Sequence, residues 1–251
     1  MIDATLASSS LDWVHTFRPN STLHYLSIFG SQLWILSGVI IGRLLKDADK
    51  RRTLEQALGW SIAFIQLYAM VWRWMPGNFE ITEALPLQLC RIVSWICVVA
   101  LITHARWAIS LAFFWGLGLS TMGLITPVIT TGVASVEYWL FWLAHAQIVG
   151  TAVYFIVVYG WGPNRRDWAF AAAASLAYFA IVVPVNLKLG TQYGFLGSGA
   201  YTQNTLAGHL GPYPMRIVWI LLLGQAWLAV LFVLARIVGR VKHARLSAAS
   251  A

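Results

Sequence analysis

The sequence predicts an all-α fold, a polytopic membrane protein with seven transmembrane helices. Three observations predict it. Of its 251 residues, 59% are hydrophobic and only 10% are charged, where a soluble domain carries about 25%. The mean hydropathy is +0.69. Apolar runs of about 20 residues follow one another, each long enough to cross roughly 30 Å of hydrocarbon. No polar stretch is long enough to fold separately. The expected organisation is therefore a short polar N-terminal tail over 1–22, a membrane domain over 23–238 and a basic cytoplasmic tail over 239–251.

The tail "MIDATLASSSLDWVHTFRPN" lacks the basic start and apolar centre of a signal peptide. Spans are expected at 23–45, 56–75, 85–104, 107–127, 137–160, 168–187 and 214–238. Pro86 opens the third, where a helix start needs no N–H from it. In the fourth, Gly116, Ser120 and Gly123 recur at i, i+4 and i+7, a small-residue face on which another helix can pack. "AFAAAASLA" gives the sixth a similar face, and Trp residues gather near span ends as interfacial anchors. Between the sixth and seventh spans lies the longest connection, "KLGTQYGFLGSGAYTQNTLAGHLGPYP", rich in Gly and aromatic residues. A loop of that length is expected to fold over the site mouth, with Tyr193 near its polar groups.

Cationic residues sort by side. Arg43, Lys46, Lys50, Arg51 and Arg52 follow the first span, Arg106 the third, and Arg165 and Arg166 the fifth; Arg236, Arg240, Lys242 and Arg245 end the chain. Arg18, Arg73, Lys188 and Arg216 fall on the other side, together with Glu80, Glu83 and Glu137. The positive-inside rule then puts the N-terminus outside and the C-terminus in the cytoplasm, in a multi-pass protein of the cell membrane. The net charge of +8 lies at the ends of apolar runs, so it suits phospholipid headgroups and argues against nucleic acid. No Asp or Glu stands in the middle of a span, against the pattern of an ion-coupled carrier.

Two cysteines, Cys90 and Cys97, are seven residues apart on one span. Their Cα atoms would lie about 10 Å apart on a helix, too far for a disulfide. No CxxC cluster suggests a metal, and no cofactor is expected. Cys90 lies one turn into the third span and His145 two turns into the fifth, which runs the same way. Asn186 near the end of the sixth and His24 at the start of the first reach a similar depth. A thiol and an imidazole at matched depth can act as nucleophile and base on a lipid ester. Each also has a structural reading, as a small apolar filler and a packing residue. Arg91, next to the cysteine, could bind a phosphate. Cys97, two turns deeper, reads as structural, Glu137 as a possible orienting group for His145, and His15, His104, His209 and His243 as solvated loop or tail residues.

"LPLQLCRI", "LITPVI", "FWLAHAQIVGTAVYFIVVYG", "VNLKLGTQYGFL" and "LGPYPMRIVW", in that order, resemble the YwaF-type integral membrane family over about residues 22–240. That family includes a vertebrate acyltransferase of ether phospholipids. The resemblance implies Cys90 and His145, 55 residues apart, as a catalytic pair. Where relatives often carry His two positions before the cysteine, this chain has Gln88, and their T-N-Y loop is Thr191-Gln192-Tyr193 here.

The expected function is a Cys–His lipid acyltransferase or lipid hydrolase, with phospholipid or lysophospholipid substrates and an acyl thioester intermediate. Gln88, Arg91, Asn186, Tyr193 and His24 are expected to bind substrate, Gln88 or Asn186 by donating to the oxyanion. The alternative is a non-catalytic lipid- or small-molecule-binding membrane protein, a carrier or complex subunit, whose cavity the same polar residues would line.

Overall fold

The computed structural model describes residues 12–199 and 206–249, with side chains in the second stretch described for 208–239. Among the described residues every extended element is helical and no strand forms. Seven long helices follow in order: α1 (Thr22–Leu44), α2 (Ala48–Trp74), α3 (Leu89–Thr103), α4 (Arg106–Ile125), α5 (Val136–Tyr159), α6 (Arg165–Leu189) and α7 (Met215–Ala249).

Six of them, α3 being joined by its preceding turn Ile81–Ala84, are long and apolar enough to cross a membrane. The exception is α2. Its first turns carry Asp49, Lys50, Arg51, Arg52 and Glu55, and Gln66 and Arg73 interrupt the apolar stretch that follows. The last helix, α7, continues unbroken to Ala249, through most of the residues expected as the basic tail.

Local sequence explains the boundaries. Ser21 caps α1, Asp47 caps α2 and Ser135 caps α5, each accepting a first-turn N–H through its side chain. Asn164 and Asp167 form a reciprocal capping box at the start of α6. Gly160 and Gly190 end α5 and α6 in the left-handed conformation that glycine adopts without a Cβ clash. His104 ends α3 in the same conformation, at φ 55°, and needs tertiary contacts to hold it there.

The interior is built by α3, α4 and α5. Val93, Cys97, Ala100, Ala112, Phe114 and Ile148 are fully buried there. The other helices surround this core, and α7 buries least of its apolar length. Residues Ala112–Ser120 of α4 are π-helical, so each turn advances by an extra residue and side chains change face. Backbones approach closely at Gly116 and Gly123: an added Cβ would lie 3.0 Å from Ile148 Cγ2 and 2.4 Å from His145 Nε2. Ser120 leaves that packing face because the π-turns rotate it toward α3.

The N-terminal segment is docked from residue 12 onward. Phe17 N–H donates to the Thr130 carbonyl at 2.7 Å and Gly132 N–H to the His15 carbonyl at 2.9 Å, tying the segment to the loop before α5. The expected polar tail up to residue 11 lies outside the described residues.

Candidate active site

The chain enters α3 through Leu85-Pro86-Leu87-Gln88, and Gln88 takes the N-cap position in extended geometry without a side-chain cap. Among the described residues the N–H groups of Leu89 and Cys90 meet no oxygen acceptor, as helix-start donors without a cap do. The Cys90 N–H lies against its own sulfur. The thiol is partly exposed and sits at the positive end of α3, which favours negative charge in its neighbourhood.

Across from it stands His145, 5% exposed, in the third turn of α5. Its Nδ1 is 2.8 Å from the Phe141 carbonyl one turn earlier. A carbonyl only accepts, so Nδ1 carries a proton, and in the neutral ring Nε2 then keeps its lone pair. The Phe141 ring packs against the imidazole, 4.2 Å between ring centres and tilted by 36°. Gly123 leaves the space that Nε2 occupies. The imidazole and the Cys90 thiol lie within interacting reach of each other.

A third group completes the cluster. Ser120, 1% exposed at the end of the π-helical turns, brings its hydroxyl beside the Cys90 sulfur. Its Oγ is buried without a well-aligned hydrogen bond. Cys90, His145 and Ser120 thus come from α3, α5 and α4 to one point. A family model, that of the TMEM164 family, matches residues 17–235.

The chain belongs to the TMEM164 family.

Comparison with curated proteins and with solved structures finds no match. The other expected site residues of this TMEM164-family protein, Gln88, Arg91, Asn186, Tyr193 and His24, are each engaged with the protein itself. The Gln88 Oε1 accepts from Gly194 N–H at 3.1 Å and its Nε2 donates to Glu83 at 3.4 Å. Arg91 donates to the Glu83 carboxylate and carbonyl and, at 3.3 Å, to the Leu85 carbonyl. Glu83 also has Arg73 at 3.9 Å.

Asn186 is fully buried. Its Oδ1 accepts from Thr191 Oγ1 at 2.8 Å and Tyr193 N–H at 2.9 Å, and its Nδ2 donates to the Tyr193 carbonyl at 2.9 Å. The Tyr193 hydroxyl accepts from Leu85 N–H at 3.1 Å and donates to the Ile81 carbonyl. Burial pushes the Tyr193 phenol up from its ordinary range, so it keeps the proton it donates. Residues 191–199 therefore fold back onto the entry to α3, and Arg216 clasps the Gly197 and Gly199 carbonyls at 2.5 and 3.0 Å.

His24 accepts from Asn20 N–H at its Nδ1 (3.0 Å), which leaves Nε2–H to donate to the Leu124 carbonyl at 2.9 Å. Nδ1 thus fixes the ring to the start of its own helix, and Nε2 ties α1 to the end of α4, next to the glycine that seats His145. Glu137 is exposed at the start of α5, and the Phe141 carbonyl is the group that orients His145. Cys97 is fully buried beside Thr151, away from Cys90.

Sequence reasoning missed Ser120, which it read as part of a packing face, because a π-helical register has no signature in residue spacing. It also missed a second polar cluster at the opposite end. Glu55, fully buried, accepts from Tyr154 at 2.9 Å and Tyr159 at 2.6 Å, meets His104 Nε2 at 2.7 Å and has Arg52 at 3.5 Å. His104 is thus a partner of a buried carboxylate rather than a solvated loop residue.

Proposed function

We propose that this protein is a Cys–His lipid acyltransferase or acyl hydrolase of the cell membrane, acting on phospholipid esters. The observation that carries the reading is the seating of His145: with Nδ1–H held by the Phe141 carbonyl, Nε2 is the ring nitrogen left to exchange a proton with the Cys90 thiol. The YwaF-type resemblance, with its acyltransferase branch, supports the same pair.

In this reading the thiol proton passes to His145 Nε2 and the sulfur attacks the ester carbonyl carbon. The ester C–O bond breaks, and the departing alkoxide takes the proton back from Nε2. A lyso-lipid leaves and an acyl thioester stays on Cys90. In the second half, an alcohol on a second lipid, or water, gives its proton to Nε2 and attacks the thioester. The C–S bond breaks, and the thiolate regains the proton.

The expected oxyanion donors, Gln88 and Asn186, are bonded within the protein. The N–H groups of Leu89 and Cys90 and the Ser120 hydroxyl suit the role better, since none has an oxygen partner among the described residues. Arg91, engaged with Glu83, acts by holding the Ile81–Leu85 entry segment rather than by gripping a phosphate. The binding-protein alternative is less well supported, because the residues that would line its cavity hydrogen-bond to one another and to backbone. We further read α2 as a seventh span, its charged first turns at the cytoplasmic surface, with the N-terminus outside and the Cys90 end facing the outer leaflet.

The test is intact-mass analysis of the purified protein with phospholipid. A long-chain acyl adduct on wild type, removed by neutral hydroxylamine and missing in Cys90→Ala, supports the reading. Full acyl-transfer activity in Cys90→Ala would end it.

A further inference from the structure

At the end of the bundle away from Cys90, an open groove of about 620 Å³ runs between the start of α6 and the turns of α7 around Phe232–Ile237. Arg165 and Arg166 line it from α6, Arg236 from α7, and Phe232, Val233 and Ile237 form its apolar wall. The two α6 arginines occupy the first helical positions, just after the Asn164 cap. The positive end of the helix dipole favours anions there and disfavours cations, so paired arginines are locally costly.

Among the described residues no carboxylate offsets that cost. Among the described residues the guanidinium groups of Arg165, Arg166 and Arg236 have no hydrogen bond or ion pair. The nearby carboxylate, Asp167, is taken by Arg106 at 3.0 and 2.6 Å and by its own capping box. A stack of Trp168 on Phe232, 6.0 Å between ring centres, closes the floor. Val233 and Ile237 remain exposed on the flank of a helix that buries little of its apolar length.

We propose that this groove is a binding site for an anionic phospholipid, its phosphate held by the three arginines and an acyl chain lying along Val233 and Ile237. A soluble phosphate would use the guanidinium groups alone. The exposed apolar wall leading away from them fits a lipid of the leaflet at this end of the bundle.

Native mass spectrometry of the full chain, equilibrated with equal phosphatidylglycerol and phosphatidylcholine, tests this. One phosphatidylglycerol should be retained in preference. The triple variant R165Q/R166Q/R236Q should lower the glycerol-to-choline lipid ratio by about tenfold or more. Val233→Trp, which fills the groove and keeps every charge, should lower retention too and covers the case in which the triple variant does not fold. Equal retention of the two lipids by wild type, or full retention by Val233→Trp, overturns the proposal. So does displacement of the lipid by millimolar inorganic phosphate, which would make the groove a site for free anions.

Discussion

Ser120 has a hydroxyl with every reason to be bonded and no well-formed bond. A buried hydroxyl without a partner costs about 1–3 kcal/mol, so its retention next to the Cys90 sulfur calls for a use elsewhere. If it donates to charge that forms only during reaction, Ser120→Ala should lower acyl transfer by about 10²-fold while leaving stability unchanged or higher. A thermal-unfolding midpoint that drops together with activity would assign Ser120 a packing role instead. The two cysteines give a paired control. Cys90→Ser should lower turnover on the order of 10³-fold or more, because an alcohol is a far weaker nucleophile than a thiol at neutral pH. Cys97→Ala should keep turnover and lose about 1 kcal/mol of stability from a small cavity in the core. Equal losses of turnover from the two variants would count against a catalytic Cys90.

Among the elements, α4 determines whether the cluster exists. Its π-helical turns deliver Ser120, its last turn supplies the Leu124 carbonyl to His24, and Gly123 makes room for His145. Gly123→Ala would put a methyl 2.4 Å from Nε2, so the imidazole must move or α4 must shift. Activity should fall at least tenfold, with about 1–3 kcal/mol of destabilisation. Gly38→Ala in α1, whose added Cβ meets nothing within 4 Å, should leave activity unchanged and raise helix stability by up to about 1 kcal/mol. Kinetics and unfolding on the pair separate a local clash from a general intolerance of alanine. The start of α2 is the second decisive element. Glu55→Ala would leave the hydroxyls of Tyr154 and Tyr159, the His104 ring and Arg52 without their shared acceptor. The expected loss is about 3–5 kcal/mol, read as a lower unfolding midpoint in micelles, with Glu55→Gln recovering part of it. A midpoint unmoved by Glu55→Ala would mean that these groups are rehydrated without cost.

For the whole molecule the open question is direction across the bilayer. The cationic residues cluster at the Glu55 and Arg165 end, and the Cys90 end holds Glu80, Glu83 and Glu137. By charge bias a reporter fused after Ala251 should be active only in the cytoplasm, and one fused before Met1 only outside. Activity of both on one side would require an even number of spans. It would leave α2 lying along the membrane surface, where its charged first turns and its Gln66 and Arg73 would be less costly. The same direction puts Cys90 near the ester carbonyls of the outer leaflet and the arginine groove in the inner one. The two sites would then meet different lipids.

Hydropathy is a property of single segments, so the sequence by itself determined the all-helical membrane class and most helix limits to within a few residues, though α2 starts at Ala48 rather than 56 and α7 runs on to Ala249 rather than 238. Which side chains touch depends on how each helix is rotated about its axis, and that is set by packing between residues far apart in the chain. Only the tertiary structure decided that His145, with Nδ1 held by the Phe141 carbonyl, presents its other ring nitrogen to the thiol. Gln88, Arg91 and Asn186 looked like free polar groups in the sequence because their partners, Gly194, Glu83 and Tyr193, carry no sign of it in their spacing. Glu55 looked like one more charge in a basic loop for the same reason: two tyrosines about a hundred residues later surround it. In a bundle with so few polar groups, burial drives most of them to find a partner, and the fold selects the pairs.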